Sequence, residues 1–74
     1  MFKIGYKTIV GNKVSFDYFS DYDDPYEAYL DAMDLVNDEE RLSISKYGYY
    51  VIKDTVTNSS YDLYTFKNIY LGGD

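Results

Sequence analysis

Four carboxylates recur in this chain at i, i+4, i+7 and i+11: Glu27, Asp31, Asp34 and Asp38. On an α-helix of ~3.6 residues per turn these positions fall within about 60° of one another, so the four acids form a stripe. Carboxylates can trade protons, hold a divalent cation or simply present negative charge. Proton transfer in a pair needs a cleft, and a chain of 74 residues has little room for one. The chain has no His and no Cys. It therefore lacks the commonest general base and metal ligand, and it has no thiolate nucleophile. Asp21-Tyr22-Asp23-Asp24 resembles the opening of a calcium loop. However, Tyr26 stands where that loop needs Gly and Ala32 where it needs Glu. The expectation is a protein that is not an enzyme and carries no cofactor or metal. The remaining chemistry of the stripe is electrostatic.

Local helix energetics would not select this stripe. A solvated helix gains a few tenths of a kcal/mol by placing Lys or Arg four residues after an acid, and like charges at that spacing cost about 0.2–0.5 kcal/mol per pair. Asp38, Glu39 and Glu40 fall near the end of the helix, where the macrodipole disfavours anions. Ten of the 13 acidic residues lie between Asp17 and Glu40, in a stretch with no Lys or Arg, while the rest of the chain holds all seven bases. Two explanations compete: solubility of an acidic chain, and a functional demand for negative charge. Some of the acids have structural work. Asp17 and Asp21 are expected to face Lys7 and Lys3 across a hairpin, and Asp23 and Asp24 sit where a helix start favours anions. Glu27, Asp31, Asp34, Asp38, Glu39 and Glu40 have no such work, and Asp23 and Asp24 thicken their row.

The elements that would position the row read as strand, strand, helix, strand, strand. Residues 2–10 and 14–22 flank Gly11-Asn12-Lys13 and predict a hairpin. A two-residue Gly-Asn turn would set Phe16 opposite Lys7 and Tyr6 opposite Asp17. A three-residue loop would pair Val10 with Val14, Thr8 with Phe16, Tyr6 with Tyr18 and Phe2 with Tyr22, and on the other face Lys7 with Asp17 and Lys3 with Asp21. The second register segregates apolar from charged residues and is the one expected. Asp24-Pro25-Tyr26-Glu27 carries an Asp N-cap, Pro at the first helical position and Glu at the third, predicting a helix from Pro25 to near Arg41. Tyr26, Tyr29, Leu30, Met33 and Val36, widened by Ala28, Ala32 and Leu35, form the arc expected to pack on the sheet. Residues 47–56 and 61–71 are aromatic and β-branched, separated by Thr57-Asn58-Ser59-Ser60, and read as two further strands whose register stays open. Asn58-Ser59-Ser60 matches a glycosylation sequon and reads as a turn. Residues 1–74 thus predict a single small α+β domain of order ββαββ, an antiparallel sheet with one helix packed on it.

Tyrosine is the second anomaly, at 11 residues. Such rings can fill strand faces with their hydroxyls at the rim, or form an interface. The candidates are Tyr22, Tyr26, Tyr29, Tyr47, Tyr49, Tyr50, Tyr61, Tyr64 and Tyr70. Tyr interleaved with Lys3, Lys7, Lys13, Lys53 and Lys67 also suits base stacking on a single-stranded nucleic acid, against the net charge of -6.

In size, acidity, Tyr content and the stripe Glu27, Asp31, Asp34, Asp38 with its flanks, the chain resembles the small host-takeover and anti-defence proteins of tailed bacteriophages. Several of these are DNA mimics, among them inhibitors of histone-like proteins such as HU and some anti-CRISPR proteins. The resemblance implies a basic nucleic-acid-binding host protein as partner, and often a homodimer. Four acids about 5 Å apart along a helix approach the phosphate spacing of one DNA strand, ~3.4 Å. The leading expectation is an inhibitor that presents Asp23, Asp24, Glu27, Asp31, Asp34, Asp38, Glu39 and Glu40 to a DNA-binding surface. It would bind neither nucleic acid nor membrane, and it would work in the host bacterial cytoplasm. The alternatives are an interaction module acting through a Tyr-rich sheet, and a single-strand binder using Tyr and Lys.

Overall fold

A computed structural model describes residues 1–38 and 48–72. The chain runs β1 (Phe2–Val10), β2 (Lys13–Tyr22), α1 (Pro25–Asp38), β3 (Gly48–Asp54), β4 (Ser59–Asp62) and α2 (Leu63–Tyr70). The four strands form one antiparallel sheet in the order β2-β1-β3-β4. Phe2 and Ile4 of β1, with Tyr50 and Ile52 of β3, point to one face and meet Ala28, Ala32 and Val36 of α1 and Leu63 and Phe66 of α2. Both helices therefore cover the same face, and the described residues leave the other face bare. No helix among the described residues is long and apolar enough to cross a membrane.

The architecture is α+β but its order is ββαββα, which corrects the expected ββαββ with a single helix. The segment expected as a fourth strand over 61–71 stops being a strand at Asp62. There the Asp62 carboxylate accepts the Thr65 N–H at 2.6 Å and caps a helix in place of the next ladder bond. Leu63, Phe66 and Tyr70 then fall on one helical side. Leu63 and Phe66 are fully buried, and Phe66 and Tyr70 close edge-on around Phe2. Burying side chains of this size contributes about 1.5–3 kcal/mol each. That outweighs the modest strand preference of the aromatic and β-branched residues in the segment.

The first hairpin uses both registers that the sequence offers. Gly11, at φ +61°, occupies the first position of a two-residue loop, where a type II′ turn calls for glycine. Next to the turn Lys7 pairs with Phe16 and Tyr6 with Asp17, so the expected Lys7–Asp17 and Tyr6–Tyr18 pairs are absent. Between Tyr18 and Ser20 a β-bulge inserts Phe19. Beyond it the expected register holds, with Lys3 opposite Asp21 and Phe2 opposite Tyr22. The second hairpin also differs from its expected boundaries. β3 ends at Asp54 because the Asp54 side chain takes the Val56 N–H at 2.9 Å and its carbonyl takes the Asn58 N–H at 2.7 Å. The turn then closes on Asn58 at φ +63°.

Candidate functional site on the first helix

The start of α1 follows from local chemistry. Asp24 Oδ2 accepts the Glu27 N–H at 3.1 Å, and the Asp24 carbonyl accepts the Ala28 N–H at 3.2 Å, with Pro25 at the first helical position. What α1 buries is the expected arc without Tyr26 and Leu30. The buried line is Ala28, Ala32 and Val36, flanked by partly buried Tyr29, Met33 and Leu35. Small alanines let the helix lie close to the sheet, and the larger Tyr26 and Leu30 stand outside, 55% and 43% exposed. At ~100° per residue, Leu30 lies about 40° from Asp34 at the margin of the acidic row, and Tyr26 follows on the same side, about 80° from Asp34.

Glu27, Asp31 and Asp34 are all exposed, one after another along the outer side of α1. Asp38 is the last residue of the helix, at the next position of the same row. Asp23 and Asp24, also exposed, precede it, although Asp24 is occupied as the cap. Glu39 and Glu40 lie outside the described residues, as do the expected helix end near Arg41 and Tyr47. α1 carries no Lys or Arg. One member of the row is anchored: Asp31 Oδ2 accepts the Tyr22 hydroxyl at 2.7 Å, tying the row to the end of β2. The Asp31 bond, with burial, pushes the Tyr22 phenol above its ordinary range, so it stays a donor through neutral pH. Tyr22 sits nine residues before its partner, in a different element, and no periodicity in the sequence marks the pair.

Three lysines of the strands lie elsewhere. Lys3, Lys7 and Lys53 project from the bare face of the sheet, where each meets a partner. Lys3 bonds Asp21 at 2.5 Å, as expected. Lys7 donates to the Tyr49 hydroxyl at 2.9 Å and lies against the Phe16 and Tyr49 rings, leaving Asp17 exposed and without the lysine expected for it. Lys53 sits over the Tyr18 ring. Tyr18 itself lies across Gly5, where any Cβ would meet its ring, and its hydroxyl meets Ser60 Oγ at 2.5 Å. The tyrosines thus divide by use. Tyr50 is buried, while Tyr22, Tyr29, Tyr61 and Tyr70 pack partly buried against the core. Tyr49 is half-buried on the bare face, and Tyr26 and Tyr64 are exposed.

The molecule is therefore polarised. Among the described residues, a row of exposed carboxylates beside an apolar pair occupies the outer side of α1, while Lys3, Lys7 and Lys53 are engaged on the opposite face of the sheet and Lys13 and Lys67 remain on the helical side. A row of this kind can raise the local concentration of a cationic partner and exclude anions. No protein-family model, curated protein or solved structure matches the chain.

Proposed function

We propose that the outer side of α1 docks on the nucleic-acid-binding surface of a basic host protein and blocks it by standing in for a phosphate backbone. The observation that carries this reading is the exposed sequence Glu27, Asp31, Asp34 on a helix without a single cation, bordered by exposed Tyr26 and Leu30. Carboxylates alone would give fast, salt-sensitive encounters. An aromatic and a leucine at the margin supply the apolar anchor that protein interfaces use and that phosphate lacks. Asp23 and Asp24 extend the row toward β2, and Asp38, Glu39 and Glu40 continue it in sequence.

The test uses the immobilised chain as bait in bacterial lysate at low salt, with the eluate identified. The retained protein, once purified, is then challenged with labelled duplex DNA. The parent chain should displace the DNA. The variant Glu27→Gln, Asp31→Asn, Asp34→Asn should keep its fold, since it relieves like-charge pairs, and should lose at least tenfold in displacement. A triple variant that displaces DNA as well as the parent overturns the proposal.

A further inference from the structure

The sheet order leaves β2 at an edge, and among the described residues nothing pairs with its outer side. From Lys13 to Tyr18 this edge runs without irregularity, and the bulge at Phe19 then ends the regular stretch. In a two-residue hairpin the closing pair Val10–Lys13 exchanges hydrogen bonds. By the alternation of an antiparallel ladder, so do Thr8–Ser15 and Tyr6–Asp17. The backbone N–H and C=O groups of Val14 and Phe16 therefore point outward, away from the sheet. The Val14 and Phe16 side chains are exposed on the bare face, and Lys13 and Asp17 are exposed on the helical side. Such an edge is a template for another strand.

The five residues Lys13-Val14-Ser15-Phe16-Asp17 are complementary to themselves read backwards. We propose that β2 pairs antiparallel with β2 of a second copy of this chain, about a twofold axis at Ser15. In that register Lys13 stands opposite the partner's Asp17, Val14 opposite the partner's Phe16, and the reciprocal pairs form on the other side of the axis. Val14 and Phe16, whose backbone groups point outward, become the hydrogen-bonded pairs. Opposite charges and an aromatic with a β-branched residue are favoured cross-strand partners. A slide of two residues in either direction puts Lys13 against Ser15 or against the bulged Phe19 and leaves Asp17 without its cation. A slide of one residue would set the side chains on opposite faces. Self-complementarity at one register is what points to a second copy and not to a strand of unrelated sequence. The pairing would join two sheets into one of eight strands with both α1 helices on the same side. It is independent of what α1 binds.

Edge pairing buries little surface and sits at the small end of specific interfaces. Mass is therefore measured by sedimentation equilibrium from roughly 5 to 500 µM, a range in which a weak dimer dissociates. The parent should show a monomer–dimer equilibrium. Lys13→Asp alone and Asp17→Lys alone should each weaken it roughly tenfold, because each sets like charges opposite one another twice. An equimolar mixture of the two single variants should dimerise as well as the parent, since both charge pairs are restored across the axis, and so should the double variant. The mixture also controls for folding, because a misfolded variant could not rescue its counterpart. A parent that stays monomeric throughout overturns the proposal and leaves the edge to a strand of another protein. A dimer indifferent to either substitution, or single variants that do not rescue each other, overturns it as well.

Discussion

Asp54 holds three separated pieces of chain with one side chain. It ends β3, accepts the Val56 N–H of the turn on Oδ1, and accepts the Tyr70 hydroxyl from the last turn of α2 on Oδ2 at 2.6 Å. At 8% exposure it is the buried charged residue among those described. The Tyr70 bond, then the backbone donors, lower its pKa below the ordinary 3.8, and the same bond raises Tyr70 above the ordinary 10.0. The signs give a window. The Asp54 contribution is complete above 3.8 and fades as pH falls through the lower folded value. The Tyr70 contribution is complete below 10.0 and fades as pH rises through the higher folded value. Melts recorded from about pH 3 to about pH 6 should show the parent losing stability at the acid end, and Asp54→Asn, less stable at neutrality, should lose much of that acid dependence. Tyr70→Phe should lower the neutral melting midpoint by roughly 5 °C. Tyr70→Phe melting with the parent would mean that the hydrogen bond contributes nothing. None of this was legible in the sequence, where Asp54 and Tyr70 sit 16 residues apart in segments that both read as strand.

Among the elements, α1 is legible at its start and over most of its buried face, and departs from the expected arc at Tyr26 and Leu30. Asp24, Pro25 and Glu27 act within one turn, so their effect needs no tertiary context. The side that α1 buries depends instead on how closely the sheet approaches, and Ala28 and Ala32 decided that against the larger Tyr26 and Leu30. α2 was misread for a similar reason. Tyr61, Tyr64, Thr65, Phe66 and Ile69 suit a strand, while the contrary signals, Asp62 as a cap and the helical spacing of Leu63, Phe66 and Tyr70, are sparse. The hairpin was read correctly at its far end and incorrectly beside the turn, because no glycine or asparagine flags Phe19 as an inserted residue. α2 supplies the test at this scale. Asp62→Ala should destabilise the protein by about 1 kcal/mol through loss of the cap, and Phe66→Ala by about 3–5 kcal/mol through the cavity beside Phe2. Both are read from urea unfolding midpoints. A Phe66→Ala cost close to that of an exposed residue such as Tyr64→Ala would contradict the packing of α2 on the sheet.

For the whole molecule, the net charge of -6 conceals a separation of sign. Lys3, Lys7 and Lys53 are engaged on the bare sheet face, and α1 carries its exposed acids Glu27, Asp31 and Asp34 with no Lys or Arg of its own. Association with a cationic partner should accordingly slow as ionic strength rises, with most of the change between about 0.01 and 0.15 M, where the screening length falls from ~30 to ~8 Å. Stopped-flow rates that are flat across that range would mean that the polarity plays no part in encounter. The bulge at Phe19 bears on the same whole-molecule question from another side. Tyr18 and Ser20, on either side of it, already pair with the adjacent residues Gly5 and Ile4, and they already point to opposite faces. Removing Phe19 would thus heal the ladder without changing a single partner. Deletions inside strands ordinarily turn every later side chain to the wrong face, but here the deletion should be accepted, with Ile4–Ser20 and Lys3–Asp21 contacts retained in nuclear Overhauser spectra. The cost should appear in solution behaviour. A straightened β2 offers a longer flat edge, so the shortened chain should self-associate at lower concentration than the parent. In that sense Phe19 acts as a stop to strand addition, a residue whose effect lies in the pairing it prevents.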